Sequence, residues 1–234
     1  IPSMAVEALV RRHLDGSAPA PGARACLREV ELADYERLFA ARAIVTGVRE
    51  SPPATAPLYE RLLGEAWTRL PAPIREMHDG RDGAVAEGSA CVERGAHPLA
   101  KLAGWIMGFP RAGENIPMCV EFAVRDGRET WRRDFAGQRF QSQQFAGEGR
   151  AEALLRERFG PLVFAMALLL EGERLRLALR RWSVFGVSLP LWLAPRSNAF
   201  ESVENGGFAF HVEISHPWIG LIVRYRGRLR RVAL

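Results

Sequence analysis

Lysine is nearly missing from this chain: of its 32 basic residues 31 are arginine, and Lys101 is the exception. Schiff-base chemistry and phosphate-loop binding both need a lysine in a particular setting, and no such motif is present. Cysteine is scarce as well. Cys26, Cys91 and Cys119 stand far apart without a CxxC pair, which argues against an iron–sulfur cluster or a structural zinc module and fits a reducing compartment, the cytoplasm by default. The longest uncharged apolar run, Pro161 to Leu170, is too short for a membrane-spanning helix. No basic-then-apolar segment with a cleavage site opens the chain. Dinucleotide-binding glycines, a His-Glu-x-x-His pair and a Gly-x-Ser-x-Gly elbow are also missing, so a nicotinamide cofactor, ATP and zinc-protease chemistry have no support within these residues.

What is present suffices for a folded core. The 234 residues are 48% apolar and 25% charged, with 22 glycines and 15 prolines. The formal charge of +5 is unevenly spread. Residues 1–50 hold seven arginines and seven acids, whereas Arg224, Arg226, Arg228, Arg230 and Arg231 close the chain with no acid after Glu213. That alternating basic face suggests phosphate contact, but no recognition helix or aromatic-studded strand accompanies it, so a solvated edge strand is the leading explanation and nucleic acid is not the expected partner.

Residues 1–50 are expected to form an appendage. Val6, Leu9, Val10 and Leu14 recur at helical spacing until Gly16, and Tyr35, Leu38 and Phe39 mark a second helix from Leu32 to Ala41. Residues 51–57, with Pro52, Pro53 and Pro57, read as a linker to a domain over 58–234. That domain starts with short helices at Leu58–Leu70 and Pro73–Met77, and another is expected at Leu99–Met107.

Elsewhere the period is two. Val120, Phe122 and Val124 alternate with Glu121, Ala123 and Arg125, Asp126-Gly127 turns the chain, and Glu129, Trp131, Arg133 and Phe135 share the next face. Ala136-Gly137 leads to Phe140, Ser142 and Gln144. Further strands are expected at 85–94, 154–159, 162–170, 175–183, 199–204, 208–214 and 219–229, with turns at Glu171-Gly172 and Gly206-Gly207. About ten antiparallel strands with short connections curl into a barrel more readily than they lie flat, because a long sheet twists and leaves two exposed edges. The expected class is therefore α+β, mainly antiparallel, a calycin-like curled sheet or barrel with short flanking helices. The alternative is a helix-wrapped curved sheet of the lipid-transfer type. It requires a long carboxyl-terminal helix, where this sequence reads as strand.

Candidate site residues follow from that alternation. A face joining Trp131 to Arg133 suits a cavity for an apolar ligand with a polar head. Leu175, Leu177 and Leu179 form an apolar row ending at Arg181, whose planar donors match a carboxylate or phosphate. A structural ion pair of Arg181 with Glu121, Glu129 or Glu213 is the stronger competing explanation. Trp182 opens an aromatic stretch through Trp192 that either covers a pocket, closes the barrel end or touches a membrane surface, and Tyr225 completes the ligand-binding candidates. For acid–base chemistry the candidates are His78, Glu121, His211 and Glu213, with His211 and Glu213 placed to share a face. No metal site is expected among the histidines.

The β region also resembles an uncharacterised bacterial family, domain of unknown function 4166. The matching stretches include Leu58-Tyr59-Glu60-Arg61-Leu62-Leu63-Gly64, Leu70-Pro71-Ala72-Pro73-Ile74-Arg75 with His78-Asp79, Glu129 to Phe135, Glu157-Arg158-Phe159-Gly160-Pro161, and Val212 to Ser215 leading into Gly220 to Gly227. The resemblance spans residues 57–230 and implies no reaction. Ala18-Pro19-Ala20-Pro21-Gly22-Ala23, a helix at Leu32 and Gly47 are similar to the tail of saccharopine-dehydrogenase-like reductases. That likeness implies a fusion or partnership with a reductase, whose upstream domain would bind NADP or NAD. A chain beginning at Ile1 rather than Met fits a fragment of such a fusion. The leading expectation is a binding or accessory domain for a small apolar or lipid-like ligand. An enzyme using a His/Glu pair in the pocket and a protein-interaction module without a ligand are the alternatives.

Overall fold

A computed structural model describes residues 2–17, 22, 29–40, 42, 56–80 and 82–232. The chain divides into two compact units, Ile1–Glu50 and Ser51–Leu234. Most of the proline-rich stretch Ala18 to Ala23, Gly47 and residues 51–55 of the expected linker lie outside the described residues.

In the first unit, α1 (Pro2–Leu14) and α2 (Leu32–Ala40) bury Met4, Ala8 and Leu38 together. Asp34, in the first turn of α2, accepts the Glu31 N–H at 3.0 Å and the Arg12 guanidinium at 2.8 Å. The first contact satisfies an amide left free at the helix start, and the second ties α2 to α1. The Glu31 N–H, foremost, with Arg37 and Arg12, holds the Asp34 carboxyl below its ordinary range.

The second unit is a closed antiparallel barrel with short flanking helices. Its strands are β1 (Val85–Arg94), β2 (Gly113–Arg125), β3 (Arg128–Phe135), β4 (Gln138–Ala146), β5 (Leu155–Phe159), β6 (Leu162–Glu171), β7 (Arg174–Val184), β8 (Val187–Leu189), β9 (Arg196–Glu204), β10 (Gly207–His216) and β11 (Gly220–Val232). Consecutive neighbours pair from β1 to β7; β7 then pairs with β9, β9 with β10, β10 with β11, and β11 with β1. Ten strands make the ring, and β8 lies beside β7 at Trp182–Val184. The lipid-transfer alternative is excluded because the carboxyl-terminal segment is a strand of the ring. That also corrects the edge-strand reading of the terminal arginines: β11 sits between β1 and β10, and a closed ring has no edge there.

Turn chemistry explains the hairpins. Asp126-Gly127, Ala136-Gly137, Phe185-Gly186 and Asn205-Gly206 each have positive φ at both residues, the turn whose twist suits a two-residue hairpin. The turn between β9 and β10 therefore falls one residue earlier than Gly206-Gly207. Ring closure depends on Gly227, where a Cβ would stand 2.2 Å from the Ser89 carbonyl oxygen of β1.

The barrel has two unlike ends. One carries the β2–β3, β6–β7 and β9–β10 turns, and the chain enters β1 there from α3 (Leu58–Leu63), a 3-10 turn (Gly64–Arg69) and α4 (Ala72–Met77). Leu58, Tyr59, Ile74 and Met77 from these helices are buried in the barrel core. The other end carries the β3–β4, β5–β6, β7–β8 and β10–β11 turns and α5 (Pro98–Ile106), which joins β1 to β2.

Candidate ligand-binding site

An internal cavity of about 360 Å³ lies within the barrel. Most of its wall is apolar, including Met118, Val120, Met166, Leu177, Phe208 and Ile222, supplied by the inward positions of alternating strands. Its polar groups include Tyr59, Arg133, Gln144, Glu157, Glu201 and Tyr225, and Ser197, His211 and His216 also border it.

Alternation along β3 puts Glu129, Trp131, Arg133 and Phe135 on one face, and β4 contributes Ser142 and Gln144 opposite them. The Arg133 guanidinium donates to Ser142 Oγ at 2.8 Å and to Glu157 Oε1 at 3.3 Å. Glu157 Oε1 also accepts from Ser142 Oγ at 2.6 Å and Gln144 Nε2 at 3.3 Å. Tyr59 donates its hydroxyl to Gln144 Oε1 at 3.1 Å. The guanidinium lies over the Trp131 ring, 5.1 Å from its centre, so an aromatic face supports the charge on one side. Arg133 is thus already neutralised by an interior carboxylate. Burial pushes the nearby Tyr225 phenol up to about 12, against the pull of Arg133.

A second carboxylate is held differently. His78, at the end of α4, sets Nε2 2.7 Å from Glu201 Oε2 of β9. Its ring stacks on Tyr59, with centres 3.6 Å apart, and faces Trp131 at 5.4 Å. Those two rings and the edge of Phe208, 6.4 Å away, fix the imidazole while its Nδ1 is buried with no hydrogen-bond partner. Glu201 is 92% buried, since 8% remains exposed, and it borders the cavity. Its second oxygen accepts no hydrogen bond from a described residue. Glu129 sits behind this pair; burial raises its carboxyl pKa, while His78, the Trp131 Nε1–H and the Leu58 N–H oppose that rise.

Trp131, Arg133, Trp182 and Tyr225 all border the cavity. Arg181 does not. The β6–β7 register slips between Ala165 and Met166, so that Met166 faces Leu179, Ala165 faces Arg181, and Arg180 is left over. This bulge inverts the alternation beyond Leu179, carrying Arg181 to the exposed face and Trp182 to the cavity. Arg181 has no ion pair with Glu121, Glu129 or Glu213 either; none forms among the described residues.

The acid–base candidates are not brought together. His78 meets Glu201, a residue outside the expected set. Glu121 is on the surface, 3.9 Å from Arg132, and Glu213, two residues beyond His211 on β10, accepts from Arg224 Nε at 2.7 Å with no hydrogen bond to His211. His211 stacks on Phe200 with ring centres 4.9 Å apart, and burial lowers its pKa. Glu201, Glu157, Gln144 and Tyr59 were missed as site residues. A signal for Glu201 exists, since it alternates with Ala199 and Val203 in an otherwise apolar row. Among the described residues no cluster of three or more potential metal ligands forms, and no helix is long and apolar enough to cross a membrane.

The fold and site define a ten-stranded barrel enclosing an apolar cavity with a polar wall. A family model described as a domain of unknown function, DUF4166, matches residues 70–229, and the chain belongs to that family. No curated protein matches the chain. Among solved structures, zebrafish ileal bile acid-binding protein complexed with cholic acid is 13% identical, over 64% of this chain and 98% of that one, with a TM-score of 0.33. A likeness this remote says nothing about the site.

Proposed function

We propose that the barrel binds a small, mainly apolar molecule whose polar end is a neutral hydrogen-bond donor, such as a hydroxyl. The observation that carries this reading is the Glu201 carboxylate, buried at the cavity wall with one oxygen held by His78 and the other without a partner. That second oxygen keeps some exposure, so it is open to a donor on a ligand, with which a carboxylate forms a charge-assisted hydrogen bond. Charge balance favours a neutral head group over an anionic one. The wall holds two carboxylates, Glu157 and Glu201, against one guanidinium already engaged by Glu157. A ligand carboxylate would add a third carboxylate to a wall whose one guanidinium is already engaged.

Native mass spectrometry of gently purified protein, with denaturing extraction of the bound molecule, tests the proposal. The expected result is a stoichiometric apolar compound carrying a donor group. Replacing Glu201 by Gln, which keeps an oxygen for His78, is expected to weaken that compound's binding by about 1.5–3 kcal/mol, the worth of a hydrogen bond to a charged group. Recovery of a fatty acid or another anion would overturn the head-group assignment, and unchanged affinity in the variant would remove Glu201 from the site.

The buried His78–Glu201 pair also favours a second reading, in which Glu201 takes a proton from a bound substrate and His78 orients it. Association with a nicotinamide-dependent reductase rests on the short resemblance within residues 18–47, and the β unit adds nothing to it.

A further inference from the structure

The two ends of the barrel differ sharply in what they show to solvent. On α5, Leu99, Leu102, Trp105 and Ile106 are exposed, while Ala100 and Gly104 face inward. The helix thus turns a broad apolar face outward, the reverse of an ordinary surface helix. Phe185 and Val187 project from the β7–β8 turn at the same end, and Leu191 and Trp192 follow in the 3-10 turn Leu191–Leu193. Trp218, from the β10–β11 turn, meets Trp192 with ring centres 6.5 Å apart. Four large rings are mostly open: Trp105 is 78% exposed, Phe185 83%, Trp192 66% and Trp218 70%. Within residues 51–234, every exposed large apolar side chain among the described residues, except Val232, belongs to this end.

Charge completes the pattern. Lys101, Arg111, Arg158, Arg180, Arg181 and Arg196 are exposed toward this end, and none forms an ion pair with a described residue. Of the nearby surface acids, Asp134 is engaged by Arg139 at 2.7 Å, and Glu93 and Glu213 share Arg224, each at 2.7 Å, which leaves Glu114. The opposite rim mixes signs, with Asp126 between Arg125 and Arg128, and Glu171 paired to Arg176.

We propose that this end of the barrel docks on an anionic lipid surface. Exposed tryptophans ringed by cations are placed as amphipathic elements are at a bilayer interface: the rings enter the boundary of head groups and acyl chains while the cations meet lipid phosphates. An acidic protein partner would meet the same cations. Four apolar elements from separate parts of the chain, all ringing one end, fit a broad fluid interface better than a single shaped partner. The cavity reaches toward this end, since Phe159, Leu162, His216 and Ile219 border it. Docking here sets that part of the cavity wall toward the membrane, though the surface argument does not depend on what the cavity holds.

Flotation of the full chain with vesicles tests this. Vesicles of equal parts phosphatidylglycerol and phosphatidylcholine should carry the protein upward, and pure phosphatidylcholine or high salt should release most of it. The triple variant Arg180→Ala, Arg181→Ala, Arg196→Ala should partition roughly a hundredfold less, the combined worth of three arginines near an anionic surface. A second variant, Trp105→Ser with Trp192→Ser and Trp218→Ser, keeps the charge. It should lose both flotation and the fluorescence quenching that brominated acyl chains cause in the wild type. All six positions are exposed, and unchanged circular dichroism checks that the fold is intact. No flotation of the wild type overturns the proposal, as does flotation equally strong in both variants. A concentration-dependent dimer that ignores vesicles would instead make this face a contact between copies, and would equally overturn it.

Discussion

Glu129 shows how one buried carboxyl sets a pH dependence. Its pKa is raised in the folded protein because burial disfavours the charged form more than the Trp131 and Leu58 donors and His78 favour it. The folded state therefore holds the proton more tightly than the unfolded chain does. Between the ordinary value of 4.5 and the raised folded value, this residue's contribution makes stability fall as pH rises. Replacing Glu129 by Gln keeps an acceptor for Trp131 and Leu58 and removes the titrating proton. Urea midpoints measured across this range should fall less steeply in the variant, and an unchanged slope would show that Glu129 is not the group responsible. Asp34 in the first unit has the opposite sign. Its lowered carboxyl pKa contributes stability above the ordinary value of 3.8, which is lost as pH falls through the folded value.

At the scale of elements, α5 is held by an interlock that its own sequence does not announce. Arg94, at the end of β1, donates at 2.9 Å to the carbonyls of both Phe109 and Pro110, bracing the loop after the helix. Gly104 leaves room for that guanidinium: a Cβ there would lie 1.8 Å from Arg94 Nη2. Gly104→Ala is expected to displace the guanidinium and to cost about 1–3 kcal/mol, a typical price for overpacking. Amide exchange in α5 and in residues 107–110 should quicken more than in the strands; uniform exchange would show that the interlock is not local. Element positions were largely legible beforehand, because alternation and turn residues are local signals. The bulge at Arg180 was not. It adds one residue to β7 through pairing with β6, and a one-residue slip moves every later side chain to the other face. Arg181 was misplaced for that reason, and Trp182 entered the cavity by it.

At the scale of the molecule, each unit has its own buried cluster, Met4, Ala8 and Leu38 in the first and the barrel core in the second. A chain beginning at Ser51 is therefore expected to melt at the temperature of the full protein's β unit. A fall of more than about 3 °C, equivalent to about 1 kcal/mol in a chain of this size, would show that residues 1–50 support the barrel.

The amino-acid order by itself determined the class of the β unit: strands of period two, glycine-bearing turns and few long connections lead to a curled antiparallel sheet. It also marked Trp131, Arg133 and Tyr225, whose positions follow from alternation along single strands. Only the tertiary structure decided the partners across the barrel. His78 and Glu201 are 123 residues apart, and their meeting depends on how α4 enters the ring and where β9 joins β7. The concentration of exposed tryptophans at one end is likewise a product of closure, because Trp105, Trp192 and Trp218 lie in separate connections that share a surface only once β11 has paired with β1. Local spacing specifies which face of a strand a residue occupies; ring closure specifies what that face meets.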